Sequence, residues 1–242
     1  MKTIADTHTH TVMSTHAHST LLENLREAKN KGLRFICVTD HTGTMPGSPH
    51  DTYFGSMWCT VPDEFEGVYV IRGCETNIID TNGTVDISDA HLDGLEWRIA
   101  SIHAMCFSPI SFEAHTRLWL NVAKNPHIDV IGHCGDAKFD FDHEICIKAF
   151  AKYGKIVEIN SSSAVTRPSG WKNCADIARL CAKYNVPLVI SSDAHFAGDV
   201  GNHKAAIQML EENGIDEKHI LNTDFDRFAE YLHQKTGRTF VL

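Results

Sequence analysis

The chain has 242 residues, 43% hydrophobic and 22% charged, an ordinary composition for a soluble globule. Its formal net charge of −9 argues against a dedicated duplex-DNA binder, which presents a basic face. The unusual number is 16 histidines.

No apolar run approaches the roughly 18 residues of a membrane span. The opening Met1–His10 has no apolar signal segment. Eight cysteines without a C-x-x-C read as free thiols in a reducing cytoplasm, not as a disulfide framework.

The first apolar run predicts a strand over Thr3–Ala5. Ser19 or Thr20 then caps a helix through Leu22, Leu25 and Ala28, and Gly32 stops it. Strands follow at Phe35–Val38 and Val68–Gly73, and Asn82-Gly83 reads as a tight hairpin turn between Asn77–Ile79 and Val85–Ile87. Further strands are expected at Ile99–Ile102, Asp129–Gly132, Ile156–Ile159 and Pro187–Ile190. Helices are expected at Phe112–Ala123, Glu144–Tyr153, Cys174–Tyr184, Ala205–Glu212 and Phe225–Gln234. Loops at Thr42–Pro62 and Phe107–Phe112 carry Met45, Tyr53, Phe54, Trp58 and Phe107, which either hold an apolar group or pack the mouth.

Seven strands alternating with helices predict an α/β chain with a parallel sheet, one domain over 1–242, closed as a barrel. Neither G-x-G-x-x-G nor G-x-x-x-x-G-K-[ST] occurs, so a dinucleotide fold or P-loop is not supported.

Ligand-type residues collect where these strands end. They are His8 and His10, then His41, Glu75, His103, His133, and Asp193 with His195. In a (β/α) barrel the strand C-termini form the active face, so these groups share one mouth, within reach of His16 and His18. An H-x-H in extended chain turns both imidazoles to one side. Imidazoles with carboxylates suit zinc, and equally manganese or iron. Asp6 and Asp40, just before ligand histidines, read as acceptors for imidazole N–H or as loop anchors. His50 sits in a loop beside the mouth. His91, His115, His127, His143, His203, His219 and His233 read as structural.

The ordered set resembles the PHP (polymerase and histidinol phosphatase) metallo-phosphoesterases, and within them the YcdX-like phosphatases. It runs from Asp6-Thr7-His8-Thr9-His10 through Ser14-Thr15-His16-Ala17, Thr39-Asp40-His41, Arg72-Gly73-Cys74-Glu75, His103, Gly132-His133 and Glu158-Ile159-Asn160 to Ser192-Asp193-Ala194-His195. The resemblance implies a distorted (β/α)7 TIM-like barrel with three divalent ions, usually zinc. It implies one ion on His8, His10, Glu75 and Asp193, a second on Glu75, His103 and His133, and a third on His16, His41 and His195. Glu75, Asp193 and His195 would be catalytic, with Arg167 and Lys138, and also His18 and His50, near the substrate.

The implied activity is hydrolysis of small phosphomonoesters by a metal-activated hydroxide. A phosphodiesterase or exonuclease, and a metal-binding scaffold without activity, are the alternatives. The expected partner is a small phosphorylated substrate. The charge counts against long nucleic acid, no membrane is expected, and homo-oligomerisation is left open.

Overall fold

A computed structural model describes residues 1–242. The chain runs β1 (Ala5–Thr9), α1 (Leu21–Asn30), β2 (Phe35–Val38), α2 (Thr52–Thr60), β3 (Glu64–Phe65), β4 (Val68–Asn77), α3 (Asp89–Leu92) and β5 (Trp97–Ser101). It continues through α4 (Phe112–Lys124), β6 (Val130–Ile131), α5 (His143–Lys152), β7 (Ile156–Asn160), α6 (Ser163–Thr166), α7 (Trp171–Tyr184), β8 (Leu188–Ser191), α8 (Lys204–Glu212) and α9 (Phe225–Thr236).

Seven strands make one parallel path, β1-β2-β4-β5-β6-β7-β8, and β3 adds antiparallel to β4. The two ends of the path meet at a parallel bridge between Thr9 and Ala194, which nearly closes a TIM-like barrel. Asn222 stitches that seam. Its amide donates to the carbonyls of Ala5 and Ile190, and its Oδ1 accepts the Ile190 N–H.

Alternation along the strands sorts their side chains into two cores. Phe35, Cys37, Ile71, Trp97, Ile99, Val130, Ile156 and Val189 join Phe228 and Leu232 of α9 in a cluster of 13 buried residues. This cluster fills the barrel where the strands begin, and α9 plugs that end. The opposite strand faces, among them Ile36, Val38, Val70, Ile131 and Ile190, pack under the helices in a cluster of 45. Following the inner register upward gives Ile71, Gly73, Glu75; then Ile156, Glu158, Asn160; then Val189, Ser191, Asp193. The apolar floor therefore gives way to ligand-type residues at the strand ends.

Several expectations are met with shifted limits. Thr20 caps α1 and Glu23 completes a capping box, while Gly32 leaves the helix at φ +70°. The Asn82-Gly83 turn forms, with Gly83 at φ +78° and one bridge between Ile78 and Val85 instead of a ladder. β1 starts at Ala5, where the sequence suggested the strand would end, so His8 lies inside it. The segment read as a loop at Thr42–Pro62 contains α2, whose Phe54 and Met57 are buried. No helix is long and apolar enough to cross a membrane. All eight cysteines are free thiols.

Candidate active site

Glu75 is the hub of the strand-end cluster. Its Oε1 lies 2.9 Å from His133 Nε2 and 3.3 Å from His103 Nε2. Its Oε2 lies 3.2 Å from His8 Nε2, 3.5 Å from His10 Nε2 and 2.8 Å from His41 Nδ1. One oxygen thus faces His103 and His133, and the other faces His8, His10 and His41. Asp193 Oδ1 sits 3.2 Å from His10 Nε2 and 3.5 Å from His8 Nε2. Two imidazole Nε2 atoms, those of His8 and His10, come within 3.0 Å of each other.

His16 and His195 complete the cluster toward solvent. The His16 ring stacks 4.6 Å from that of His195 and 5.0 Å from that of His41. Ligand-atom spacing joins His10, His41 and His195 within 4.8 Å, so His16 lies at the edge of the group that the resemblance assigns to the third ion. His8, His10 and Glu75 form a second such group, and His41, Glu75 and His103 a third.

Four of the imidazoles are turned by a partner on the far nitrogen. His8 Nδ1 meets Glu158 Oε1 at 2.7 Å, His10 Nδ1 meets Ser14 Oγ at 3.1 Å, and His103 Nδ1 meets Asn77 Oδ1 at 2.7 Å. His195 Nδ1 lies 2.9 Å from the carbonyl of Asp193. With the proton held on Nδ1, the Nε2 lone pair points to the centre.

Asp40 anchors the first loop. It accepts from the Thr11 amide at 2.7 Å, Ser14 Oγ at 2.7 Å and the Tyr53 hydroxyl at 2.7 Å, and so reaches His10 through Ser14. Asp6 caps the other side of the mouth, accepting from the Ser192 amide at 3.1 Å and the Gly201 amide at 2.7 Å. Both aspartates are loop anchors: Asp6 accepts the His8 backbone amide at 3.5 Å, and neither meets the imidazole of a strand-end histidine.

Two strand-end residues adopt left-handed backbone without being glycine: His133 at φ 24° and Asp193 at φ 56°. Such conformations cost on the order of 1–3 kcal/mol each and persist where surroundings enforce them. The His133 amide donates to Glu158 Oε2 at 2.6 Å, and the Asp193 amide donates to the His8 carbonyl at 3.0 Å. These bonds hold the strained residues at the centre.

The charges are arranged for cations. Burial disfavours the charged carboxylates of Glu75 and Asp193, yet the neighbouring imidazoles outweigh it and hold both well below the usual range. Burial also opposes a charge on His8, but Glu75, Glu158 and Asp193 push its pKa well above the ordinary value. Burial and the adjacent imidazoles lower His10, and His16 is lowered to about 4 by burial, His195 and His41.

Several buried acceptors point inward without a hydrogen-bond partner: His41 Nδ1, Glu75 Oε2, Asp193 Oδ1 and His195 Nε2. His41 Nδ1 and Glu75 Oε2 are close, yet not aligned as donor and acceptor. Unpaired acceptors are costly in a protein interior. A shared cation satisfies them, so the residues present fit divalent ions.

Two cavities open from the centre. One of about 450 Å³ is bounded by Met45, Pro46 and Met105 with His41, Glu75 and His103. A larger one of about 820 Å³ lies on the β7 and β8 side. His16, Arg167, Asp193 and His195 border both. Arg167 Nη1 is 3.8 Å from Asp193 Oδ2.

The other suggested substrate residues lie apart from these walls. Lys138 is exposed in a short 3-10 turn. His18 is exposed, with its backbone amide bonded to the His195 carbonyl at 2.7 Å. His50 is exposed and accepts the Thr52 amide at the start of α2. Of the loop aromatics, Phe54 is in the core, Trp58 is 69% exposed and Tyr53 serves Asp40.

Sequence reading missed the part played by Glu158. It is buried on the inner register of β7 and holds both His8 and the His133 amide. An acidic residue inside the apolar run Ile156–Ile159 was the available signal.

Comparison with known proteins places this geometry among relatives. A model of the PHP domain matches residues 6–162, and a PHP-associated model matches 173–223. A probable phosphatase of Thermoanaerobacter sp. (strain X514) is 43% identical over 97% of this chain and 96% of its own length. A probable phosphatase of Clostridium botulinum (strain Langeland) is 39% identical over 97% of this chain and 96% of its own length. In three dimensions the chain resembles histidinol phosphate phosphatase of Lactococcus lactis, solved with zinc, L-histidinol and phosphate. The TM-score is 0.67 at 17% identity, covering 89% of this chain and 95% of that one.

Proposed function

The chain belongs to the PHP domain family, and we propose that it is a metal-dependent phosphatase of small phosphomonoesters, folded as one catalytic domain over 1–242. The observation that carries this reading is Glu75, whose two oxygens face two separate groups of imidazoles. That is the arrangement a bridging carboxylate needs.

Under this reading three divalent ions, most simply zinc, are held by His8, His10, Glu75 and Asp193; by Glu75, His103 and His133; and by His41, His195 and His16. Bound there, such ions supply a water of lowered pKa and neutralise phosphoryl charge. The chain's own part is positional. Glu75 and Asp193 bring negative charge that keeps the cations in place, and His195 fixes the outer edge of the site. Glu158, Ser14 and Asn77 set imidazole orientation. Arg167, which borders both cavities, would donate N–H groups to the phosphoryl oxygens. No protein nucleophile is required.

His18, His50 and Lys138 would reach a substrate only if their loops moved. The eight free thiols support a reducing cytoplasmic setting.

The test is phosphate release from p-nitrophenyl phosphate by purified protein supplied with zinc or manganese. Turnover that a chelator abolishes and metal restores is expected. A fully metallated, folded protein inert toward a broad panel of phosphomonoesters would overturn the reading. If it cleaves bis(p-nitrophenyl) phosphate instead, it is a diesterase.

A further inference from the structure

The larger cavity beside the metal centre has a chemistry of its own. Its volume of about 820 Å³ exceeds what a phosphoryl group needs and falls in the range of small-molecule sites. Most sites of that size are lined chiefly by apolar and aromatic side chains. Here the apolar side chains in the wall are Val165 and Ala205, and the only rings are the site histidines His16 and His195. Apart from those two imidazoles and the Arg167 guanidinium, which belong to the phosphoryl end, nothing in the wall offers a stacking platform for a nucleobase or an aryl group.

Hydrogen-bonding groups take the apolar residues' place. Ser162 and Thr166 come from the β7 side, and Asn202 and Gln208 from the α8 side. Two cations face the space, Arg167 and Lys204. Arg167 is half-buried, borders the metal centre and is spoken for by the phosphoryl group. Lys204 is exposed and pairs with no carboxylate. It is the first residue of α8, whose N-cap His203 supplies no side-chain cap, so the positive end of the helix adds to its field. The one carboxylate in the wall apart from Asp193 is Asp199, an acceptor suited to hydroxyls.

We propose that this cavity binds the leaving group, and that the preferred substrate is a hydroxyl-rich phosphomonoester carrying a second anionic group, which Lys204 holds. The proposal rests on the phosphatase reading of the adjoining metal centre. The second anion is a phosphate or a carboxylate. The shared chemistry is an oxyanion at the far end of a polyhydroxylated chain.

The experiment compares kcat/KM of the metal-loaded enzyme for fructose 1,6-bisphosphate, 6-phosphogluconate, glucose 6-phosphate and p-nitrophenyl phosphate. The two sugars with a second anionic group are expected to exceed both substrates that carry the phosphate alone. The dominant one identifies the second anion. In Lys204→Ala the preference for the better of these two sugars over glucose 6-phosphate should fall about tenfold, through KM, as expected for one charge-assisted contact. Calorimetric binding of a bisphosphonate analogue of the sugar bisphosphate should weaken by a similar factor.

Preference for the aryl ester, or a selectivity indifferent to Lys204→Ala, would overturn the proposal and leave the phosphatase standing. Lys204-dependent binding of the analogue with no turnover of any phosphomonoester would do the reverse, keeping the cavity's ligand class and removing the phosphatase.

Discussion

Glu158 works by holding other residues in place. It sits at the bottom of the centre and fixes His8 through Nδ1 and His133 through its amide. Glu158→Gln keeps the shape but loses the charge that favours a proton on His8 Nδ1. Partners of this kind are worth about 10–100-fold in metal affinity. Metal titration of the purified variant should show a loss in that range with the fold retained by circular dichroism. Unchanged affinity would show that the carboxylate is only a packing group.

Protonation works against metal at the same atoms. In the metal-free protein His8 has a raised pKa because Glu75, Glu158 and Asp193 together outweigh its burial. Holding an ion at Nε2 requires the proton to leave. Metal uptake at neutral pH should therefore release protons, and apparent affinity should fall as pH falls. Calorimetry in two buffers of different ionisation enthalpy measures this. A binding heat that does not depend on the buffer would contradict it.

The elements show which information was local. The cap at Ser19 or Thr20 and the stop at Gly32 were legible because each depends on residues a few positions apart; the structure selects Thr20 and adds Glu23 as its capping-box partner. Thr20→Ala should lower stability by about 1 kcal/mol, seen as a fall of roughly 2–4 °C in Tm. β1 was misplaced because the polar run from Asp6 to His10 read as the segment that follows the strand. Its residues are buried because seven strands close around them. α2 was hidden for a similar reason. Its sequence has no strong helical stripe, and it forms by burying Phe54 and Met57 against the barrel.

Strand contacts also explain the glycine of the Arg72-Gly73-Cys74-Glu75 segment. A Cβ on Gly73 would sit 2.3 Å from the Trp97 carbonyl oxygen, across the pairing of β4 with β5. Gly73→Ala must push the strands apart two residues before Glu75. A loss of about 1–3 kcal/mol is expected, together with weakened metal retention, measurable by thermal melting and metal analysis on one sample.

For the whole molecule, the barrel class was legible from the alternation of short apolar runs with amphipathic helices. The gathering of imidazoles and carboxylates at one mouth was legible from residue type at the strand ends. The partners that orient those imidazoles were not. Glu158, Asn77 and Ser14 belong to elements far apart in the chain or to common residue types, and only closure of the sheet brings them to the imidazoles. The seam that achieves closure depends on Asn222, whose side chain bonds both Ala5 and Ile190. Asn222→Leu leaves buried backbone groups unpaired at about 1–3 kcal/mol each. It should lower Tm and loosen the centre at the same time, because His8 and Asp193 flank that seam.

Glu75 is proposed to join the ions on which phosphate release depends. The most direct measurement is metal content and p-nitrophenyl phosphate turnover of wild type and Glu75→Gln, purified alike and checked for fold. The wild type should carry divalent metal and turn over. The folded variant should lose metal and about a hundred- to a thousandfold in kcat, the order of magnitude that removing one strong electrostatic contributor to the transition state costs. A folded Glu75→Gln protein that retains wild-type metal content and turnover would contradict that role of Glu75.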